Sequence, residues 1–291
     1  MMCPILAVAL LFFSSAAPPA DTDEIRSVSV TVTDDKGRPV DDLVPQDVAV
    51  LENGNARTLT KVEKDHRPLR LAVLVDTSQP IGDHYRLQIL EPLLRFLGKL
   101  PEGTEYAVWT TGDRPRKVVD FGQGPTAAAK ALGRVFPTGG NTVFDALVEA
   151  SRDLQSKEAA RSAIVVVSGT GAGFTGYSKE QVVDTVRPTG ATVLAAEIEE
   201  SEAAASRSSG EVSQSDYDYV FSNLAVATGG RREVLLSSMG AARILEAFAG
   251  ELSSQYRLTY ETVAGLKDKD RKLEVKVARP GARVRLGVPR S

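Results

Sequence analysis

Three short stretches of this 291-residue chain place oxygen-bearing side chains where apolar runs begin or end. Asp76-Thr77-Ser78-Gln79-Pro80 follows the run Leu69–Val75, Gly139-Gly140-Asn141-Thr142 precedes an amphipathic stretch, and Ser168-Gly169-Thr170-Gly171 follows the apolar run 163–167. A carboxylate, a serine hydroxyl and a threonine hydroxyl on three neighbouring loops are hard oxygen ligands, suited to Mg2+, Mn2+ or Ca2+ and unsuited to soft metals. The plainer reading is that Asp76 and Thr142 hydrogen-bond loop amides. A second motif competes for attention. Gly171-Ala172-Gly173-Phe174-Thr175-Gly176 spells the G-x-G-x-x-G of dinucleotide sites, with Glu197 at the end of the next strand. Against it, the glycines begin four residues past Val167, and the strand is not the first of its domain. Ser178 and Gln181 also form a capping box that starts the next helix only after the last glycine. A loop that tolerates backbone turns explains the same letters.

Composition removes other chemistries. With two histidines, His66 and His84, and one cysteine, Cys3, zinc clusters, thiol redox pairs and iron–sulfur ligation are out. No G-x-S-x-G elbow accompanies either histidine, which argues against a Ser-His-Asp hydrolase. Lys and Arg number 35 against 38 Asp and Glu, a formal net charge of −3, so no global basic field exists to hold nucleic acid.

The elements that must position these residues follow from periodicity. SVSVTVT alternates strictly, placing Val28, Val30 and Val32 on one strand face. Residues 47–52 and 57–62 read as two strands flanking Asn53-Gly54, a strong hairpin signal. From Leu69 onward continuous apolar runs alternate with amphipathic stretches, as in a parallel sheet covered on both faces. Leu69–Val75, 106–110, 117–121, 163–167, Thr192–Ile198 and 232–235 are the strands. Residues 83–99, 126–134, 142–155, 178–187, 217–228 and 241–252 are the helices, the first carrying a stripe of Leu87, Leu90, Leu94 and Leu97. The polar stretch 199–218 reads as a mobile acidic loop. Beyond Ser253 the pattern returns to strands, with Tyr256 and Tyr260 on one sheet face. Residues 21–66 carry 11 acidic and 6 basic side chains, and residues 255–291 carry 4 acidic and 10 basic. Opposite charge is compatible with the two ends pairing into one small β module.

The beginning of the chain reads as an export leader. Residues 5–13, ILAVALLFF, form an apolar run about half the ~20 residues a membrane span requires, followed by small residues and then by DTDE. The stretch before it, Met-Met-Cys-Pro, lacks the usual basic residue. Cleavage between Ala17 and Ala20 removes Cys3 and leaves no cysteine, which fits a bacterial envelope protein, periplasmic or secreted.

VLVDTSQP, GGNTVFDAL and the segments around them resemble the von Willebrand factor A-like domains and their metal-ion-dependent adhesion site, which uses D-x-S-x-S after the first strand, a threonine on a second loop and a late aspartate. The flanks VTVTDDKGRPVDDLVPQDVAVLENG, LSSQYRLTYE and RKLEVKVARPGARVR are similar to exported "VWFA-related" proteins common in acidobacteria. The resemblance implies metal ligation by Asp76, Ser78 and Thr142, with Pro80 standing where a second serine is expected and Gly169 where the aspartate is. Asp83 and Asp113 are the nearby carboxylates available to compensate. Together these readings give an α/β fold, a doubly wound and mostly parallel sheet with an accessory β module from the two ends. The expected divisions are a leader at 1–20, a β segment at 21–66, the α/β domain at 67–252 and a closing β segment at 253–291. The expected function is non-enzymatic binding of a protein partner, with a weak divalent cation at a degenerate adhesion site. The alternatives are a metal-independent envelope scaffold and a nucleotide-binding enzyme using the 171–176 loop.

Overall fold

The computed structural model describes residues 23–156, 159–171, 173–199 and 211–289. The expected leader at 1–20 and the middle of the polar stretch 199–218 lie outside the described residues. Strands β1 (Asp23–Thr33), β2 (Val48–Glu52), β3 (Asn55–Arg57) and β4 (Leu59–Lys64) come first. Then come β5 (Leu69–Val75), β6 (Glu105–Thr110), β7 (Arg116–Val119), β8 (Arg161–Gly169), β9 (Thr192–Ile198) and β10 (Arg231–Leu235). Strands β11 (Tyr256–Val263), β12 (Leu273–Val277) and β13 (Arg283–Leu286) follow them. The helices are α1 (Glu91–Gly98), α2 (Pro125–Leu132), α3 (Val143–Gln155), α4 (Lys179–Val186), α5 (Gln214–Thr228) and α6 (Ala241–Ser253).

The central sheet runs β10-β9-β8-β5-β6-β7, parallel throughout except for the antiparallel edge strand β7. Every residue of β5, β8 and β9 is buried, because helices cover both faces. Leu93 and Phe96 of α1, Leu132 of α2 and Phe248 of α6 pack on one face. Phe144 of α3, Val182 of α4 and Phe221 of α5 pack on the other. From β5 the chain moves outward to β6 and β7, then returns to β8 on the other side. The direction of winding therefore reverses between β5 and β8, and in such a sheet the ligand crevice lies beyond the carboxyl ends of those strands.

The two ends build antiparallel sheets at the periphery. β1 pairs with β11 and β13, and β4 pairs with β11; β12 and β3 flank β2 in a smaller sheet. Val28, Val30, Val50, Tyr256, Leu258 and Tyr260 share one core, with the tyrosines alternating inward as period-two spacing requires. Asn53 (φ 53°) and Gly54 (φ 80°) make the left-handed pair of a tight hairpin turn.

Three local expectations change. The strand read at 57–62 is divided: β3 stays with β2, whereas β4 crosses to β11. The stripe containing Leu87 is broken because Tyr85–Leu90 winds as a wider π turn. The extra residue per turn rotates Leu87 outward, to 80% exposure, and brings Tyr85 and Ile89 into the core instead. The end of the polar stretch is helical, since α5 begins at Gln214 behind a capping box of Ser213 and Asp216.

Candidate functional site at the carboxyl end of the central sheet

Asp76 is the first residue past β5, and the register of the parallel pair sets its surroundings. Val75 lies opposite Val167, so the next residues along, Asp76 and Ser168, emerge side by side. Asp76 is 2% exposed. Its Oδ1 accepts from the Ser78 amide at 2.7 Å, and its Oδ2 accepts from the Gly169 amide at 2.8 Å and from Asn141 Nδ2 at 3.1 Å. Among the described residues no lysine, arginine or histidine forms an ion pair with it. Burial pushes its carboxyl above the usual aspartate range, and the bonds from Ser78 and Gly169 oppose that shift.

Asn141, 1% exposed, is the centre of the cluster. Besides Asp76, its Nδ2 donates to Ser168 Oγ at 2.7 Å and to the Gly169 carbonyl at 2.9 Å. Its Oδ1 accepts from Thr111 Oγ1 at 2.8 Å and from the Val143 amide at 3.1 Å. The orientation of the amide is fixed by chemistry. Val143 N–H can only donate and Gly169 C=O can only accept, so exchanging oxygen and nitrogen would set donor against donor and acceptor against acceptor.

Of the residues expected to ligate a cation, Asp76 and Ser78 lie together, and Ser78 is 1% exposed. Among the described residues Thr142 makes no hydrogen bond to either of them. Its hydroxyl and its amide both donate to the Thr111 carbonyl, at 2.7 and 2.8 Å, as the chain enters α3. Asn141 stands at the centre instead, and Ser168 and Thr111 complete the network. The sequence signal for Asn141 was its place in the same Gly-Gly-Asn-Thr loop, one residue from the hydroxyl that drew attention. Asp83 and Asp113 are exposed, and among the described residues neither hydrogen-bonds Asp76. No cluster of three acidic, histidine or cysteine side chains suited to a metal occurs among the described residues.

A hard cation needs several oxygens with free lone pairs, preferably charged. Here three N–H donors take three of the roughly four lone-pair sites of the cluster's one carboxylate, and the side chain facing it presents an NH2 group. As arranged, these residues do not fit a divalent cation; one would have to displace the Asn141 amide.

The glycine run is tied down in a similar way. Gly173 bridges to Asn141 and to Val212, and the Phe174 amide donates to the Asn141 carbonyl at 2.8 Å. The Gly176 amide donates to Asp145 at 3.2 Å. The Phe174 and Gly176 amides are thus already bonded to protein acceptors, whereas a phosphate site needs them free. Ser178 caps α4 with Gln181 as the sequence predicts. Glu197 is fully buried and paired with Arg232 at 2.5 Å. His66 and His84 are exposed.

Among the described residues no helix is long and apolar enough to cross a membrane. The family model for the von Willebrand factor type A domain matches residues 71–172. A search of the curated proteins finds no match. Among solved structures, proximal thread matrix protein 1 from the mussel byssus is 16% identical, with a TM-score of 0.51 over 70% of this chain and 50% of that one. The same protein with a zinc-occupied MIDAS motif gives 0.50 over 71% and 50% at 16% identity. The vWF domain of the type V pili tip protein Mfa5 from Porphyromonas gingivalis is 18% identical, with a TM-score of 0.33 over 37% of this chain and 39% of that one. The chain thus spans half or less of these proteins. The matched segment holds β5, β6, β8 and α3, the elements that build the site, and the sheet has the parallel winding of that fold. Residues 71–172 therefore match the von Willebrand factor type A domain model, and the central sheet has that fold.

Proposed function

We propose that this chain is a non-enzymatic protein-binding module of an exported adhesion or assembly protein, which engages its partner through the loops at the carboxyl end of the central sheet without a metal ion. The observation that carries the reading is the set of large apolar side chains those loops expose. Leu87 is 80% exposed, Phe136 76%, Leu236 85% and Met239 76%, all on segments that leave or re-enter that end of the sheet. Exposed apolar groups collected on one face are a mark of interaction surfaces. The bond from Ser238 to Gln88 ties the Leu236–Met239 loop to the turn bearing Leu87, and Arg86 lies 5.5 Å from the Phe136 ring.

The Asn141 network supports the metal-free form of this reading, because its amide and two backbone N–H groups already bond the Asp76 carboxylate. A degenerate adhesion site binding Mg2+, Mn2+ or Ca2+ weakly is the competing form. The likeness to a thread matrix protein is in keeping with an assembly role. The leader at 1–20 and the divisions at 21–66, 67–252 and 253–291 belong to the same proposal; amino-terminal sequencing of the mature protein is expected to begin between residues 18 and 21.

A photo-crosslinking residue at position 87 or 239, compared with position 102 at the opposite end of the sheet, tests the reading in the cell that makes the protein. Adducts of one size from 87 and 239, absent from 102 and unchanged by EDTA, are expected. Equal adducts from both ends would favour a general scaffold, and loss with EDTA would restore the cation.

A further inference from the structure

We infer that the cavity beside the Asn141 cluster receives an acidic side chain of a partner polypeptide, with Arg116 and Arg134 as the groups that bind its carboxylate. The inference rests on the protein-binding reading above and supplies the chemistry of the partner. The cavity, of about 400 Å3, opens where β6 ends, β7 begins and the chain leaves α2. That is within the range of ligand sites, about 300–1,000 Å3. Both guanidinium-bearing residues are exposed, and among the described residues neither has an ion pair with a carboxylate. Their neighbour Lys117, by contrast, has two, at 3.1 Å from Asp120 and 3.0 Å from Asp153.

The lining also sets what can enter. Arg116, Arg134 and Asp113 together carry one net positive charge, which matches a carboxylate; a phosphate dianion would meet Asp113 as well. Val118, Val135 and the exposed Phe136 ring add apolar surface, so an acidic residue followed by an apolar one complements the site better than an isolated anion. Arg–carboxylate pairs of this kind are among the stronger hydrogen-bonded contacts.

The wall is tied together by bonds between its own loops. Thr77 Oγ1 accepts from the Gly112 amide at 2.9 Å, and the Thr77 carbonyl accepts from the Thr138 amide at 2.8 Å. A Cβ on Gly112 would lie 2.2 Å from that carbonyl, so the approach requires glycine. Asp113 holds φ at 65°, a region costly for a residue with a side chain, and its amide is fastened to the Gly140 carbonyl at 2.8 Å. Backbone held in an unfavourable region by its surroundings is a recurrent feature of binding sites.

The test uses the full chain on arrays of twelve-residue peptides with randomised flanks and one fixed central residue, glutamate, glutamine, lysine or phosphoserine, followed by leucine. The wild type is expected to favour the glutamate set over the glutamine set by roughly tenfold, with Arg116→Ala and Arg134→Ala each removing most of that preference. Arg134→Glu is expected to shift selection toward a fixed lysine. Thermal melts unchanged from wild type establish that these surface variants fold. Equal binding of the glutamate and glutamine sets, preference for phosphoserine, or full retention by the double alanine variant overturns the carboxylate pocket while leaving the binding module standing. Failure of the wild type to bind any set overturns both.

Discussion

Asn141 Nδ2 donates to Asp76 Oδ2 across 3.1 Å, and this contact joins a loop before α3 to the buried carboxylate after β5. The same nitrogen reaches Ser168 and the Gly169 carbonyl, so one neutral amide ties together three loops at the point where the sheet reverses its winding. A buried carboxylate lacking a countercharge is normally costly. Here three N–H donors offset part of that cost.

Chelation with EDTA followed by millimolar Mg2+, Mn2+ or Ca2+ is therefore expected to leave the melting temperature of the wild type unchanged. Asn141→Asp sets a second carboxylate against Asp76, where like charges disfavour joint ionisation. That variant is expected to melt lower and to be raised by added Mn2+ or Mg2+. A wild-type shift that disappears in Asp76→Ala would mean the cation displaces the amide.

Arg271 spends its guanidinium on five acceptors: Glu52, Thr262, Glu24 and the carbonyls of Val263 and Leu266. Glu52 is fully buried, and the Arg271 and Thr262 bonds hold its carboxyl below the usual range despite burial. Arg57 also pairs with Glu52, at 3.3 Å, so removing Arg271 weakens the buried cluster without stranding its carboxylate. Arg271→Ala is expected to lose about 1–3 kcal/mol in urea unfolding, and Glu52→Gln in the same chain to return part of it. Equal stability of Arg271→Ala and wild type would show that water reaches Glu52.

Asp216, at the start of α5, bonds Ser213 and lies 2.9 Å from Lys179, which lowers its carboxyl to about 2. Because the folded value is depressed, the stabilisation is fully present above the ordinary aspartate value near 3.8 and is lost as pH falls toward 2. The shift sets a ceiling of roughly 2 kcal/mol, reduced by screening because the side chain is partly exposed. Asp216→Asn is expected to flatten the stability curve between about pH 4 and pH 2, and Ser213→Ala to cost about 1 kcal/mol at neutral pH. Acid titrations of unfolding free energy measure both.

Gly173 leaves no room for a side chain: a Cβ would lie 2.4 Å from the Tyr217 hydroxyl and 2.8 Å from the Val212 side chain. Gly173→Ala is expected to cost about 1–3 kcal/mol by overpacking. Wild type titrated with ATP or NAD is expected to show no thermal shift. A shift lost in Gly173→Ala would revive the nucleotide reading.

Composition, period and motif spacing were enough to set out the parallel sheet, because residues buried on both sides must be apolar in sequence. Leu69–Val75 and Thr192–Ile198 have the bounds that their apolar runs suggest. Asp76 and Ser78 were legible for a similar reason: a polar pair directly after a buried strand has one place to go. Leu87 was not legible, since a π turn arises from packing and leaves no periodic mark. Nor was the central place of Asn141. Adjacent residues in a loop point in different directions, and both Asn141 and Thr142 are held by bonds to Thr111, at the end of another strand. The sequence by itself determined which segments are strands and that oxygen-bearing side chains cluster where β5 and β8 end. The tertiary structure decided that an amide holds that cluster closed and that Arg116 and Arg134 border one cavity, because those contacts join residues far apart in the chain whose meeting depends on how the loops fold together.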